Sequence, residues 1–177
     1  VALRALSLDV ETDGWDGPIL SVALAAEGLE HVFLMRPSSE QPAPTGRSHF
    51  TEEKALLEAV FAEVRRFDPD ALLGWNVVDF DLRVLQTRAH ANELSFSIGR
   101  AGESARVLDR DAPGSVAIAR VPGRVVLDGI ATLKNASMAF ERYTLEVVAQ
   151  KLLGRGKTFV GNTLEEVRRL YREDPAR

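Results

Sequence analysis

Leu6-Ser7-Leu8-Asp9-Val10-Glu11-Thr12 alternates apolar and polar residues, the pattern of a strand with one buried face. Leu6, Leu8 and Val10 point one way, and Ser7, Asp9 and Glu11 the other. The two carboxylates then sit roughly 7 Å apart along the backbone. They can share one cation or bracket two, since paired catalytic metals lie about 3.5–4 Å apart. Hard divalent ions such as magnesium take their oxygen ligands from such groups. An isolated Asp-x-Glu also describes two ordinary solvated acids, so its meaning depends on what the rest of the chain brings to it.

Two further strand candidates follow, Ile19 to Ala25 and Glu30 to Met35, with turn chemistry at Asp13-Gly14, Gly17-Pro18 and Glu27-Gly28. With the first strand, Arg4 to Val10, they predict an antiparallel meander. The Pro- and Ser-rich stretch Pro37 to Ser48 reads as a surface loop. Thr51 is expected to cap a helix with Glu52 and Glu53 in its first turn, Leu56, Leu57, Val60, Phe61 and Val64 on its apolar face, and Pro69 at its end. Ala71 to Trp75 is a short apolar run after a helix, a candidate parallel partner of the first strand. A second helix is expected from near Asp79, with Phe80, Val84 and Leu85 at helical spacing. Arg106 to Leu127 predicts a hairpin and one more strand. Thr144 to Leu153 predicts a helix with Leu145, Val148 and Leu152 inward and Gly154 as its stop, and Thr163-x-x-Glu166 a capping box for a last helix. This order of elements predicts one domain, an α/β mixed sheet whose first three strands are antiparallel, with helices on both faces.

The 177 residues are 45% hydrophobic, enough for a real core. A net charge of −4 and a pI near 5.5 argue against a surface that grips nucleic acid by charge alone, so any such contact is expected to be local or metal-mediated. Zero cysteines remove disulfides, thiolate nucleophiles and thiolate zinc sites, and lean mildly toward a cytoplasmic setting. His31, His49 and His90 are scattered, which suits surface or packing positions better than a metal centre. No run of apolar residues is long enough for a membrane span, so no membrane partner is expected.

The second informative segment is Gly74-Trp75-Asn76-Val77-Val78-Asp79-Phe80-Asp81. If the Ala71 strand lies parallel to and beside the first, Asp81 emerges at the same end as Glu11, and three carboxylates converge. Asp9-x-Glu11 followed by Asn76-x-x-x-Phe80-Asp81 resembles the first two exonuclease motifs of family B DNA polymerases, the proofreading members of the ribonuclease H-like, DEDD-type 3′-to-5′ exonucleases. Gly123 to Ile130, Tyr143-Thr144-Leu145-Glu146-Val147-Val148 and Leu152 to Lys157 follow in family order, most like the bacterial polymerase II branch. The resemblance covers nearly the whole chain and rests on the order of the motifs.

The resemblance implies a ribonuclease H-like mixed sheet flanked by helices, with an inserted β-hairpin. It implies that Asp9, Glu11 and Asp81 ligate two magnesium or manganese ions for hydrolysis at phosphorus. It places Thr12, Asn76 and Phe80 on the last nucleotides of a single-stranded 3′ end of DNA, and Thr144 and Leu145 on the strand behind them. Lys157, with Val160 three residues on, matches a family lysine that orients the scissile phosphate. The partner it implies is the polymerase domain of a parent chain, in a bacterial cytoplasm at the nucleoid. Residue chemistry alone leaves other readings beside these: Asp79 suits a helix N-cap, Thr144 a cap, Phe80 and Leu145 core positions, Lys157 a solvated loop, and Asp128 a cap after its strand.

The family's third motif, Tyr-x-x-x-Asp on a helix, is not found. Tyr143 is followed at the fourth position by Val147, and Tyr171 by Pro175. The expectation is an exonuclease domain cut before its third motif, weakly active or inactive by itself, because one ligand and the tyrosine that orients the water are missing. Two rivals remain at this stage: a stand-alone DEDD nuclease of the ribonuclease D or oligoribonuclease kind, and a non-catalytic single-strand-binding or scaffold module.

Overall fold

The computed structural model describes residues 2–14, 17–36, 45–109 and 117–156. The opening stretch forms β1 (Ala5–Thr12), whose exposure alternates strictly: Leu6, Leu8, Val10 and Thr12 are buried, while Ala5, Ser7, Asp9 and Glu11 are open. β2 (Ile19–Ala26) and β3 (Leu29–Met35) continue the meander with antiparallel pairing, Leu8 opposite Leu24 and Val22 opposite Phe33. β5 (Ala71–Gly74) lies beside β1 in parallel, Leu72 level with Leu6, and β8 (Val125–Asp128) lies parallel beside β5. With β4 (Arg47–Phe50) on the far edge, the six-stranded order is β4-β3-β2-β1-β5-β8.

The mixed sheet and its antiparallel first three strands agree with the sequence. β4 does not: residues 47 and 48 belong to the expected loop, yet they open a strand paired in parallel with β3. All four of its residues are half-buried, so the stretch lacks the alternation that marks a strand in sequence, and pairing with β3 supplies the order.

Helix α1 (Glu53–Phe67) lays Leu56, Leu57, Val60, Phe61 and Val64 into the core, as its apolar stripe predicts. Its cap differs from expectation. The helix begins one residue later than a Thr51 cap requires, and Glu52 occupies the N-cap without a side-chain bond. Helix α2 (Asp81–Ala91) buries Asp81, Leu82, Leu85 and Ala89. Both helices pack into the cluster built on Leu6, Leu8 and Val10. The helical layer expected on the opposite face does not cover β1 within the described residues, where Asp9 and Glu11 stay exposed.

The predicted hairpin is β6 (Arg106–Leu108) paired with β7 (Ile118–Arg120) as a separate two-stranded sheet. It is fastened to α2. The Gln86 amide accepts from the Val107 backbone N–H at 2.6 Å, and Arg83 reaches Asp109 at 2.7 Å. Helix α3 (Gly129–Asn135) starts on Asp128, and α4 (Leu145–Leu153) on Thr144, whose hydroxyl accepts from Val147 N at 3.4 Å. Gly154 ends α4 in the left-handed region at φ 66°, as expected. Val148 is the one buried residue of α4, whereas Leu145 and Leu152, expected inward, are 42% and 46% exposed. A helical period shows which residues share a face, but only a neighbouring layer buries that face. The last helix, expected from Thr163, lies outside the described residues.

Arg124 ties the end of α1 to the strand beyond β5. Its buried guanidinium donates to the carbonyls of Ile98 and Pro69 and to Asp68, which sits in the left-handed region at φ 49°. Arg124→Met leaves two carbonyls without donors, each costing about 1–3 kcal/mol when buried. The expected loss in urea denaturation is about 3 kcal/mol; a loss under about 0.5 kcal/mol would show the network to be dispensable.

Candidate active site

β1 runs past the end of β5. β5 pairs with Ala5, Leu6 and Ser7 and finishes at Gly74, which leaves the next backbone donor on that edge of β1, Val10 N–H, without a strand partner. Asp81 fills the gap. Its Oδ1 accepts from Val10 N at 2.7 Å, a buried bond across 71 residues of sequence. The first residue of α2 is thereby fixed against the strand that carries Asp9 and Glu11.

Gly74 makes the close approach possible. A β-carbon there would stand 2.7 Å from the Val77 side chain and 2.8 Å from the Leu8 carbonyl. The chain then turns through Asn76, held at φ 59° in the left-handed region, a conformation that asparagine tolerates and that recurs at functional sites. Phe80 N donates back to the Asn76 carbonyl at 3.0 Å. Asp128 steadies the same turn from β8: its carboxylate accepts from Val78 N at 3.2 Å and from Ile130 N and Ala131 N. Capping was the sequence reading for Asp128, and its bond to Val78 adds a brace on the site turn. Asp79, in contrast, does not cap α2. Phe80 holds the N-cap position, and Asp79 lies 3.6 Å from Arg83.

A second clamp holds α2 from behind. The Glu53 carboxylate accepts from Arg88, from Asn92 at 2.7 Å and from Ile19 N at 2.8 Å, joining α1, α2 and the start of β2. Burial opposes its charge, but hydrogen bonds from Arg88, Ile19 and Asn92 outweigh that and hold its carboxyl below the usual range. Arginine at the other end of an acidic first turn was not a signal the sequence could show, because the pair spans 35 residues.

The electrostatics of Asp81 mark the site. Burial pushes its pKa up, the Asp9 charge adds to this and Glu11 adds less, while the bonds from Val10 and its own backbone pull down; the result is about 8. Burial first, and the nearby acids after it, thus disfavour a charge on this carboxyl.

The expected site residues fall into three groups. Asp9, Glu11 and Asp81 act on one another at the end of β1, as the Asp81 shift records. Thr12 and Phe80 flank them. Thr12 is buried and its hydroxyl donates to the Gly14 carbonyl at 2.7 Å, closing the turn after β1, so that group is engaged within the chain. Phe80 lines a small pocket of about 80 Å³ with Gly17, Arg83 and Arg88 among the described residues. Asn76 lines a larger groove of about 480 Å³ with Asp128, Lys134 and Tyr143. Thr144 and Leu145 follow Tyr143 directly, and both are exposed. Lys157 lies outside the described residues.

Among the described residues, no three His, Asp or Glu side chains are drawn together closely enough to hold a metal ion. Asp9, Glu11 and Asp81 are the residues that the sequence reading assigns to a metal. The donor set is still all oxygen and acidic, which suits a hard divalent ion. The Asp81 pKa is raised first by burial and then by the Asp9 charge, and a bound cation would offset both. No helix of the described residues is long and apolar enough to cross a membrane.

A family model described as "DNA polymerase family B, exonuclease domain" matches residues 2–148. DNA polymerase II of Escherichia coli (strain K12) is 32% identical over 176 residues, covering 97% of this chain and 22% of that protein. DNA polymerases of Desulfurococcus sp. (strain Tok) and Thermococcus gorgonarius are 27% and 26% identical over 189 residues, covering 97% of this chain and 23% of each. The chain spans less than a quarter of the length of these relatives.

Proposed function

The chain belongs to the exonuclease domain family of family B DNA polymerases, and from that premise we propose that it is the proofreading 3′-to-5′ exonuclease domain of a polymerase II-like enzyme. Its substrate is the single-stranded 3′ end of DNA, handed over by the polymerase domain of the parent chain. The observation that carries the reading is Asp81, buried and bonded to Val10 N between the charges of Asp9 and Glu11.

Asp9, Glu11 and Asp81 would hold magnesium or manganese, which when bound lowers the pKa of an attacking water and stabilises the leaving 3′ oxygen. The chain's own work is placement. Val10 N–H orients the Asp81 carboxylate, and the Glu53–Arg88 pair keeps α2 seated against the sheet. Asp128 holds the Asn76 turn so that Asn76 and Phe80 meet the terminal nucleotides. Thr12 shapes the neighbouring turn through Gly14. Thr144 and Leu145 contact the strand behind the reacting end, and Lys157 orients the scissile phosphate. The fastened hairpin β6–β7 and the Tyr143-Thr144-Leu145 run favour a polymerase domain over a stand-alone nuclease of the same fold.

The test is a magnesium and manganese titration of the 177-residue chain with a 3′-labelled single strand. The expected result is slow, metal-dependent release of 3′-terminal nucleotides that Asp81→Ala abolishes. Release from the 5′ end, or hydrolysis indifferent to metal, would remove the proposal.

A further inference from the structure

Two cross-strand rows of the sheet run from the proposed site to the far edge. Glu11 is level with Ser21, Ser21 with Leu34, and Leu34 with His49 on β4. The row beside it runs from Asp9 through Ala23 and Val32 to Arg47. Side chains of one row share a face, so Arg47 and His49 stand on the face of Asp9 and Glu11, roughly 14 Å away across three strand spacings. β3 and β4 run in the direction of β1, which puts His49 at the same end of the sheet as Glu11. Arg36 joins them there, its backbone N donating to the Phe50 carbonyl at 2.7 Å just past the last pair of β3 and β4.

His49 feels both cations. Burial first, then the charge of Arg36 and then that of Arg47 hold its pKa below the ordinary value. Its Nε2 is buried and has no hydrogen-bond partner among the described residues. Cations on an edge strand discourage pairing with another sheet, which is reason enough for Arg47 on β4. Edge protection does not explain an imidazole nitrogen buried without a partner beside two guanidinium groups, since an unmade bond of this kind costs about 1–3 kcal/mol. We propose that Arg36, Arg47 and His49 bind a phosphate monoester, the 5′-phosphate of the nucleotide that hydrolysis releases. The proposal rests on the exonuclease reading above and adds to it a place for the product.

Guanidinium groups take phosphate oxygens through paired N–H donors, and the imidazole adds one more donor at Nε2. A bound anion also offsets the repulsion between the three groups. Hydrolysis that leaves the 3′ oxygen on the shortened strand puts the phosphate on the released nucleotide, where it carries close to two negative charges at neutral pH. A phosphodiester within the strand carries one, so the cations favour the product. The two sides of β1 divide the work in the same way. The strand is assigned to the β5 and β8 side, where Asn76 shares a groove with Leu127 and Tyr143, and the cations stand on the β3 and β4 side. Glu30 shares their face of β3 but lies level with Ala25, one row farther from the end that holds His49. The net charge of −4 gives the rest of the chain no general attraction for an anion.

NMR of the histidine ring signals in EDTA at neutral pH tests the site on the 177-residue chain. The three histidines give few signals, and His49→Gln identifies the one that matters. Thymidine 5′-monophosphate is expected to shift the His49 signal and to leave that of His90 in place. Thymidine, and an oligothymidylate without terminal phosphates, are expected to leave the His49 signal unmoved. Arg36→Gln/Arg47→Gln is expected to weaken binding of the monophosphate about tenfold, the worth of one charge-assisted bond, with folding checked by thermal denaturation. A His49 signal in the parent chain that ignores the monophosphate, or that responds equally to thymidine, would overturn the proposal. An equal response to the oligothymidylate would overturn it too, by giving the cations to the strand. If the chain digests a 3′ end with metal while His49 ignores the monophosphate, the product site falls and the exonuclease reading stands. If the monophosphate binds at His49 in a chain that digests nothing, the product role falls together with the exonuclease reading.

Discussion

Replacing Asp9 or Asp81 with alanine in the full-length polymerase lowers release of 3′-terminal nucleotides by on the order of 10³-fold, equivalent to about 4 kcal/mol of transition-state stabilisation. The size follows from what each carboxylate is asked to hold. Asp9 stands open on β1, and Asp81 is the buried member whose charge the site resists. On the proposed reading, removing either takes away a carboxylate that would hold the cation and leaves fewer oxygens to bind it. DNA synthesis and binding of a single strand should persist, because neither group is expected to contact bases. Asp81→Ala also leaves Val10 N–H without its acceptor, so the folding of both variants is checked by denaturation. If Asp9→Ala digests a labelled 3′ end at the parent rate, the two-metal reading is wrong. If synthesis fails together with digestion, the carboxylates support the fold rather than the reaction.

Asp81→Asn is expected to do the opposite to stability. The unfolded chain releases the Asp81 proton near the ordinary value of 3.8, whereas the folded chain keeps it to about 8. Between those values the folded state binds the extra proton, so the contribution of Asp81 to stability falls as pH rises from about 4 toward 8. An asparagine accepts from Val10 N equally well and carries no charge. In EDTA at pH 8 the variant is therefore expected to be more stable by on the order of 3 kcal/mol, about 5–10 °C in melting temperature. At pH 4 the gain should vanish. Manganese should reverse the ranking at pH 8, since a ligand stabilises the state that binds it. Thermal melts at the two pH values, with and without metal, measure all of this, and an Asn variant no more stable than the parent at pH 8 in EDTA would contradict the assigned environment of Asp81.

Much of the fold was legible in the chain. The alternation in Leu6 to Val10 marked the central strand, and the apolar run at Ala71 after a helix marked a parallel neighbour. What escaped depended on distant partners. β4 carries no burial alternation and exists through pairing with β3. The start of α1 follows the Glu53 clamp to α2 and β2 rather than a threonine cap. Leu145 and Leu152 share an apolar face in sequence, but that face is covered only if another element lies against it. The parallel pairing of β5 with β1 was legible in the apolar run at Ala71, and that pairing brings Asp81 to the strand that carries Asp9 and Glu11. The bond from Val10 to Asp81 was not legible, because it follows from the difference in length between two strands.

That difference carries a consequence of its own. Asp81 stands in for the missing rung of a ladder, occupying the donor that a longer β5 would have claimed. Lengthening β5 past Gly74 would therefore heal the sheet and evict the carboxylate. The proposed site is a gap in secondary structure, and its persistence requires that a neighbouring strand stop early.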